Sequence, residues 1–124
     1  MDRLTEKRIA RNDATFREAN EQIGAAAGIY GIEEAVPFIC ECADPACSEI
    51  VPLELRQYEE IRADSRHFFN VPGHEDAAHG AAVVVEKRDG YVIVEKVGHA
   101  GEVAEALDER RAVEGQGQTA ASEE

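Results

Sequence analysis

The three cysteines of this chain fall within eight consecutive residues, as Cys40-Glu-Cys42 followed by Ala-Asp-Pro-Ala-Cys47. Soft thiolates crowded this closely, with histidines later in the chain, are the ligands that a tetrahedral zinc ion takes. A chain of 124 residues buries only about two-thirds of its unfolded surface, so a metal cross-link would stabilise its core substantially. The cysteine cluster therefore constrains the fold more than any other feature of the sequence.

Other readings of the cluster are weaker. Three is an odd number, so a closed disulfide framework would leave one thiol over. An iron-sulfur cluster is the main metal alternative, but three cysteines are one short of its usual four. A redox pair needs positive surroundings, whereas Glu41, Asp44 and Glu49 are acidic. Three buried, inert thiols are the remaining alternative. The C-x-C-x4-C spacing matches no common zinc-finger class, which leaves zinc predicted and its family open.

Four histidines are candidates for the fourth ligand: His67, His74, His79 and His99. We favour His74, because a histidine directly after Pro-Gly sits on a rigid turn, and metal sites are commonly built from such turns. His79 is next, in a polar loop, while His67 begins an aromatic strand and His99 lies between glycines. The predicted site is Cys40, Cys42, Cys47 and His74.

Two classes of function fit such a site. Four protein ligands close the coordination shell of zinc and make the ion structural, as in a noncatalytic protein-interaction or regulatory module. Alternatively, His74-Glu75 supplies a ligand and a neighbouring base to a small metalloenzyme, or the site is an exchangeable metal or redox sensor. The sequence lacks H-E-x-x-H, P-loop, G-x-G-x-x-G and G-x-S-x-G motifs, which favours the noncatalytic class.

The net charge of −13 is unevenly distributed. In residues 1–28 five basic groups balance five acidic ones, and in the remainder eight basic groups face 21 acidic ones. Such a surface repels phosphate backbones and anionic membranes. The charged start and the absence of an apolar run of about 18 residues lead us to expect a cytoplasmic protein with no membrane segment.

Residues 1–30 are predicted to form an amphipathic helix. Ile9, Phe16, Ile23 and Tyr30 recur every seven residues, with Ala19 and Ala26 between them. This narrow stripe favours a helix lying across the domain. The same stripe is compatible with a short coiled-coil seam, and so with a protein partner or self-association through this helix.

The remaining pattern is that of a small antiparallel sheet with two shorter helices. The Asp-Gly between two alternating segments predicts a β-hairpin at about 81–97. The other expected elements are a strand over 36–42, a turn at Asp44-Pro45, a return strand over 49–51, a helix from Pro52 to about Ser65, a strand over 67–71, and a short helix after Gly98 or Gly101 carrying Val103, Ala106 and Leu107.

The predicted fold class is α+β, with a long N-terminal helix, a small antiparallel sheet, two shorter helices and a zinc knuckle. The expected divisions are the helix at 1–30, a zinc-binding domain at 31–110 and a disordered acidic tail at 111–124. The tail is expected because its composition of Gly, Gln, Ala, Ser and Glu has no apolar period.

Four segments also resemble a group of small uncharacterised proteins from high-GC Gram-positive bacteria. The resemblance spans roughly residues 8–108 and is carried by Arg11-Asn-Asp-Ala-Thr-Phe16-Arg-Glu-Ala-Asn20-Glu, Val36-Pro-Phe-Ile-Cys-Glu-Cys42-Ala-Asp-Pro-Ala-Cys47, Val71-Pro-Gly-His74-Glu75 and Arg88-Asp-Gly-Tyr91. No activity is established for that group. What the resemblance implies is the pairing of the cysteine cluster with the Pro-Gly-His-Glu motif.

Overall fold

A computed structural model describes residues 3–110 and confirms the α+β fold class. The predicted tail at 111–124 lies outside the described residues. The elements are α1 (Arg3–Tyr30), β1 (Val36–Ile39), β2 (Ile50–Leu53), α2 (Leu55–Arg62), β3 (His67–Asn70), a 3₁₀ turn (His74–Ala78), β4 (Ala82–Arg88), β5 (Tyr91–Lys96) and α3 (Gly98–Ala106).

Across these residues, none of the helices combines the length and the apolar character that a membrane crossing requires.

The five strands of this region form two antiparallel sheets rather than one. β1 pairs with β2, and the second sheet has the order β3-β5-β4. The β4-β5 hairpin confirms the prediction for 81–97, and a bulge lies between Val84 and Glu86. Because β5 is central, its Val92 and Val94 pack with Phe68 and Ala104 on one face, while Ile93 packs into the main core on the other.

The prediction that Pro52 begins a helix is wrong. Pro52 lies in β2 opposite Pro37 of β1. Cys40 N–H donates to Glu49 O at 2.9 Å, so by alternation along the ladder the two prolines face each other at a non-hydrogen-bonded pair. Neither proline removes a ladder hydrogen bond there, which is why a strand tolerates both. Helix α2 begins three residues later, at Leu55.

Three aromatic rings in mutual contact join β1, α2 and β3 in the main core. Phe38 and Tyr58 are parallel with centroids 4.3 Å apart, and Phe69 meets both rings edge-on. Helix α1 approaches the same rings at Gly24, where a Cβ atom would lie only 3.3 Å from the Tyr58 ring. These contacts place the end of β1, and hence the cysteine cluster, beside the buried centre of the domain.

Helix α1 lies across the domain, but not through the predicted apolar stripe. Ile9 is buried, Phe16 and Ile23 are only half-buried, and Tyr30 is 80% exposed. The buried face instead carries polar side chains interleaved with small residues, at helical spacing: Ala10, Asp13, Arg17, Asn20, Gly24 and Ala27. Sequence periodicity missed this face because it weights only apolar residues.

The predicted helix after Gly98 is present as α3, and small residues form its buried side. Ala106 and Leu107 are exposed and Val103 is half-buried, whereas Ala100, Gly101 and Ala104 are buried. Small residues face inwards because α3 packs closely against α1 and β5.

The polar face of α1 makes specific contacts in place of apolar packing. The Asp13 carboxylate contacts Lys96 Nζ of β5, and both side chains are essentially inaccessible to solvent. Burial raises the pKa of Asp13 to about 6, against the opposing effect of Lys96. The Arg17 guanidinium stacks 3.6 Å above the Phe68 ring centroid and donates to Ser65 O at 2.9 Å. Charged contacts therefore fix how α1 sits on the three-stranded sheet.

The ion pair between Asp13 and Lys96 gives a test of this packing. We expect Asp13→Ala to lower the free energy of unfolding by about 3–5 kcal/mol, because it leaves the Lys96 charge buried and unpaired. Replacing both residues, as Asp13→Leu with Lys96→Met, should cost much less than the sum of the two single changes. Urea unfolding of Asp13→Ala, of the single changes Asp13→Leu and Lys96→Met, and of the double variant measures these losses and the coupling. Purely additive losses would contradict a buried pair.

Candidate metal centre

Cys40 and Cys42 lie where the chain passes from one sheet to the other. The Cys40 N–H extends the ladder to β2 by its hydrogen bond to Glu49 O. The next residue crosses over, since the Glu41 N–H donates to Phe69 O of β3 at 2.9 Å. Side chains alternate along extended chain, so Cys40 and Cys42 flank the oppositely directed Glu41 side chain. The expected strand over 36–42 is thus shared between two partners, and β1 itself ends at Ile39.

The predicted turn at Asp44-Pro45 returns Cys47 to its two neighbours. Asp44 Oδ1 accepts a hydrogen bond from Ala46 N–H at 2.9 Å, and Asp44 O accepts one from Cys47 N–H at 3.1 Å. Asp is favoured at such a position because its side chain bonds backbone amides two residues on. The turn therefore closes the eight-residue segment into a compact loop with all three sulfurs on one side.

His74 reaches the loop from the Pro-Gly turn after β3. Gly73 has φ 94°, a left-handed conformation that strains other residues, and it allows the sharp change of direction. His74 N–H then donates to Val71 O at 2.9 Å. As a result, His74 Nδ1 lies 3.6 Å from both Cys40 Sγ and Cys47 Sγ.

The four candidate ligand atoms lie within 4.8 Å of one another. A tetrahedral zinc ion with Zn–S bonds of about 2.3 Å and a Zn–N bond of about 2.0 Å would place sulfur and nitrogen about 3.5 Å apart, and two sulfurs about 3.8 Å apart. The two sulfur-to-nitrogen distances of 3.6 Å are close to that value. The structure thus brings together all four residues that the sequence singles out, and two of the distances between their ligand atoms are those expected around a single zinc ion.

Burial divides the four side chains into two pairs. Cys40 and Cys42 are buried, while Cys47 and His74 are half-exposed. Burial raises the pKa of the Cys40 thiol, and the neighbouring Cys42 and Cys47 sulfurs raise it further. Burial likewise raises the pKa of Cys42. The Val71 N–H points at Cys40 Sγ from 3.3 Å, a contact that stabilises negative charge on that sulfur.

Helix α1 holds the backbone on both sides of the cysteine pair. The Asn20 amide donates to Ile39 O at 2.8 Å and accepts from Ile39 N–H at 2.8 Å, and it also donates to the buried Glu41 carboxylate at 3.0 Å. Asn12 donates to Ala43 O at 2.9 Å. Burial raises the pKa of Glu41 to about 7, although Arg17 opposes the shift.

Sequence reasoning missed this supporting shell. Its only signal was two asparagines eight residues apart on α1, close to the predicted stripe.

The other histidines lie away from the cluster. His67 Nε2 is 3.0 Å from Glu95 Oε1 and 3.4 Å from Asp64 Oδ2, the arrangement of an imidazole between two carboxylates. His99 pairs with Glu102 at 3.2 Å. His79 ends the 3₁₀ turn in a left-handed conformation. None of the three belongs to the group of ligand atoms formed by the cysteines and His74.

Comparison of the chain with models of known protein families, with curated proteins and with solved structures returned no match. The resemblance to small proteins of high-GC Gram-positive bacteria stays a prediction, and the functional conclusion rests on the geometry of the site.

The burial of the cysteines predicts an order of chemical reactivity. In the folded protein, limiting iodoacetamide should label Cys47 before Cys40 and Cys42, because Cys47 is half-exposed while the other two are buried. Peptide mapping by mass spectrometry measures the order. In concentrated guanidinium chloride with a chelator the three thiols should react alike, and preferential labelling of Cys40 in the folded protein would contradict the structure.

Proposed function

We propose that this protein binds one structural zinc ion through Cys40, Cys42, Cys47 and His74, and acts as a noncatalytic protein-interaction or regulatory module. The observation that carries the proposal is the convergence of three sulfurs and one imidazole nitrogen within 4.8 Å. Thiolate and imidazole ligands in a compact four-atom group suit zinc better than the oxygen-preferring cations.

The compactness of the group also supports zinc over an iron-sulfur cluster. Ligand atoms this close surround a single ion, whereas an iron-sulfur cluster places several atoms between its cysteines and usually takes four of them. Three cysteines and one histidine are, in contrast, one of the usual ligand sets of structural zinc.

A structural role follows from where the ligands originate. The first two cysteines end the β1 segment, Cys47 follows a turn, and His74 follows β3 of the other sheet. An ion bound by all four would join the two sheets covalently at their junction. Structural zinc in small peptides contributes about 10–16 kcal/mol of apparent binding energy at neutral pH, which is comparable to the whole stability of a typical domain at about 5–15 kcal/mol.

The position of Glu75 favours the noncatalytic role over the metalloenzyme alternative. Its carboxylate is folded back, and Glu75 Oε1 accepts a hydrogen bond from Gly73 N–H at 2.8 Å. In this arrangement the side chain supports the Pro-Gly turn that presents His74. A general base would instead need to face a reactant at the ion.

Loss of one thiol should remove metal and stability together. We expect Cys42→Ser to lose stoichiometric zinc and to melt at a much lower temperature, because ligand capture and folding are coupled. Elemental mass spectrometry gives the zinc content, and circular dichroism gives the melting curve with and without chelator. An unchanged melting temperature of the wild-type protein in chelator would refute the structural role.

Matched histidine variants test the fourth ligand. His74→Asn should lower the zinc affinity by more than about tenfold, because loss of a group that only orients a ligand already costs about 10–100-fold. His79→Asn is the control, since Asn tolerates the left-handed backbone at that position. Competition with a chromophoric chelator measures both affinities. Equal affinities in the two variants would remove His74 from the site.

Glu75→Gln separates the two functional classes. We expect it to retain zinc and to lose only a fraction of the free energy of unfolding, on the order of 1 kcal/mol for one hydrogen bond. Zinc content and urea unfolding measure the two quantities, with Glu86→Gln as the control at an exposed position. Loss of zinc in Glu75→Gln alone would show that the carboxylate serves the ion.

A further inference from the structure

The outer face of the β1-β2 sheet is entirely apolar. Side chains alternate along each strand, so the inner face carries the buried Val36, Phe38, Val51 and Leu53. The outer face is formed by the remaining residues of the two strands, Pro37, Ile39, Ile50 and Pro52. Ile50 is 51% exposed, both prolines are exposed and Ile39 is half-exposed. We call these four residues the outer face.

A further strand cannot pair fully with either free edge of this sheet, because some of the backbone donors and acceptors it would need are missing or already bonded. Pro52 lacks an N–H, so the outer edge of β2 offers an interrupted row of donors. On the β1 side, Pro37 also lacks an N–H, and the Asn20 amide occupies both the N–H and the C=O of Ile39. A partner would therefore be bound by side-chain contacts on the outer face rather than by strand addition.

Acidic residues adjoin the strand ends that border the outer face. Glu33 and Glu34 precede β1, Glu49 precedes β2 and Glu54 follows it, and all four are exposed. Of these, Glu54 forms an exposed ion pair with Arg56 at 3.0 Å. The residues around the outer face thus carry an excess of negative charge, in a chain whose net charge is already −13.

The negative charge around the outer face determines which kind of partner could bind there. Two copies meeting through the outer face would bring their glutamates together, and like charges across an interface are costly. Nucleic acids and anionic bilayers are repelled for the same reason. A protein segment with aliphatic or aromatic side chains flanked by Lys or Arg would complement both the apolar centre and the acidic rim.

We propose that the outer face is the docking site for a basic-flanked apolar segment of another protein. The inference rests on the proposed function in one respect. The proposed zinc ligand Cys40 directly follows β1, and β1 contributes Pro37 and Ile39 to the outer face. Zinc would hold the hairpin in the shape that the partner recognises.

A matched pair of variants tests the docking site. The zinc-loaded full chain is used to select from a phage-displayed random peptide library, and one enriched peptide is synthesised for calorimetry. We expect enriched sequences to combine aliphatic or aromatic residues with flanking Lys or Arg. Ile50→Lys should weaken binding by at least about tenfold, as for a central interface residue. Val83→Lys, at a 45% exposed valine on β4, should leave the affinity unchanged.

Each contrary outcome overturns the proposal. These outcomes are an absence of enrichment over an unrelated bait, enrichment of acidic peptides, or equal affinities of the two variants. Dimerisation of the wild type that Ile50→Lys abolishes would assign the face to a second copy instead. If Ile50→Lys does not fold, Pro52→Lys on the same face gives the same comparison. Zinc content is measured on every protein, so failure of the metal site is read separately from failure of peptide binding.

Discussion

The organisation of this domain depends on one short crossing of the backbone between two sheets, at Cys40 and Glu41. One N–H of this pair bonds to Glu49 beside β2, and the next bonds to Phe69 of β3. A two-stranded sheet is marginal by itself, so it needs an attachment at this point. The sulfurs and the His74 imidazole meet at the same junction, so an ion held by them would join the two sheets at this point.

The polar face of α1 packs beside this junction and holds the backbone next to the cysteines. Apolar packing alone would let a helix rotate or slide by small amounts at little cost, whereas the contacts of Asp13, Arg17 and Asn20 are satisfied in only one register. Burying an ion pair such as Asp13 with Lys96 adds little net stability, because desolvation offsets the attraction. We interpret the polar face as fixing the position of α1, so that Asn20 bonds to the backbone beside the cysteines.

Local patterns in the sequence predicted the parts of the structure that depend on local chemistry. The hairpin followed from alternation around Asp89-Gly90, the cysteine loop from Asp44-Pro45, and the choice of His74 from the preceding Pro-Gly. The errors concern pairing between distant residues. Pro52 suits the first turn of a helix as well as it suits a non-hydrogen-bonded position in a strand. Its place in β2 is evident only from its pairing with Pro37. The buried charges of α1 were unpredictable because their partners lie far away in the chain.

The unequal burial of the four candidate ligands implies an order in which an ion is captured and released. Cys40 and Cys42 are anchored deep in the packed interior, whereas Cys47 and His74 lie on segments open to water. An ion held here would therefore face solvent on the side of Cys47 and His74, with the buried pair behind it. A competing chelator would meet Cys47 and His74 before the buried cysteines, so exchange of the ion would begin at these two ligands.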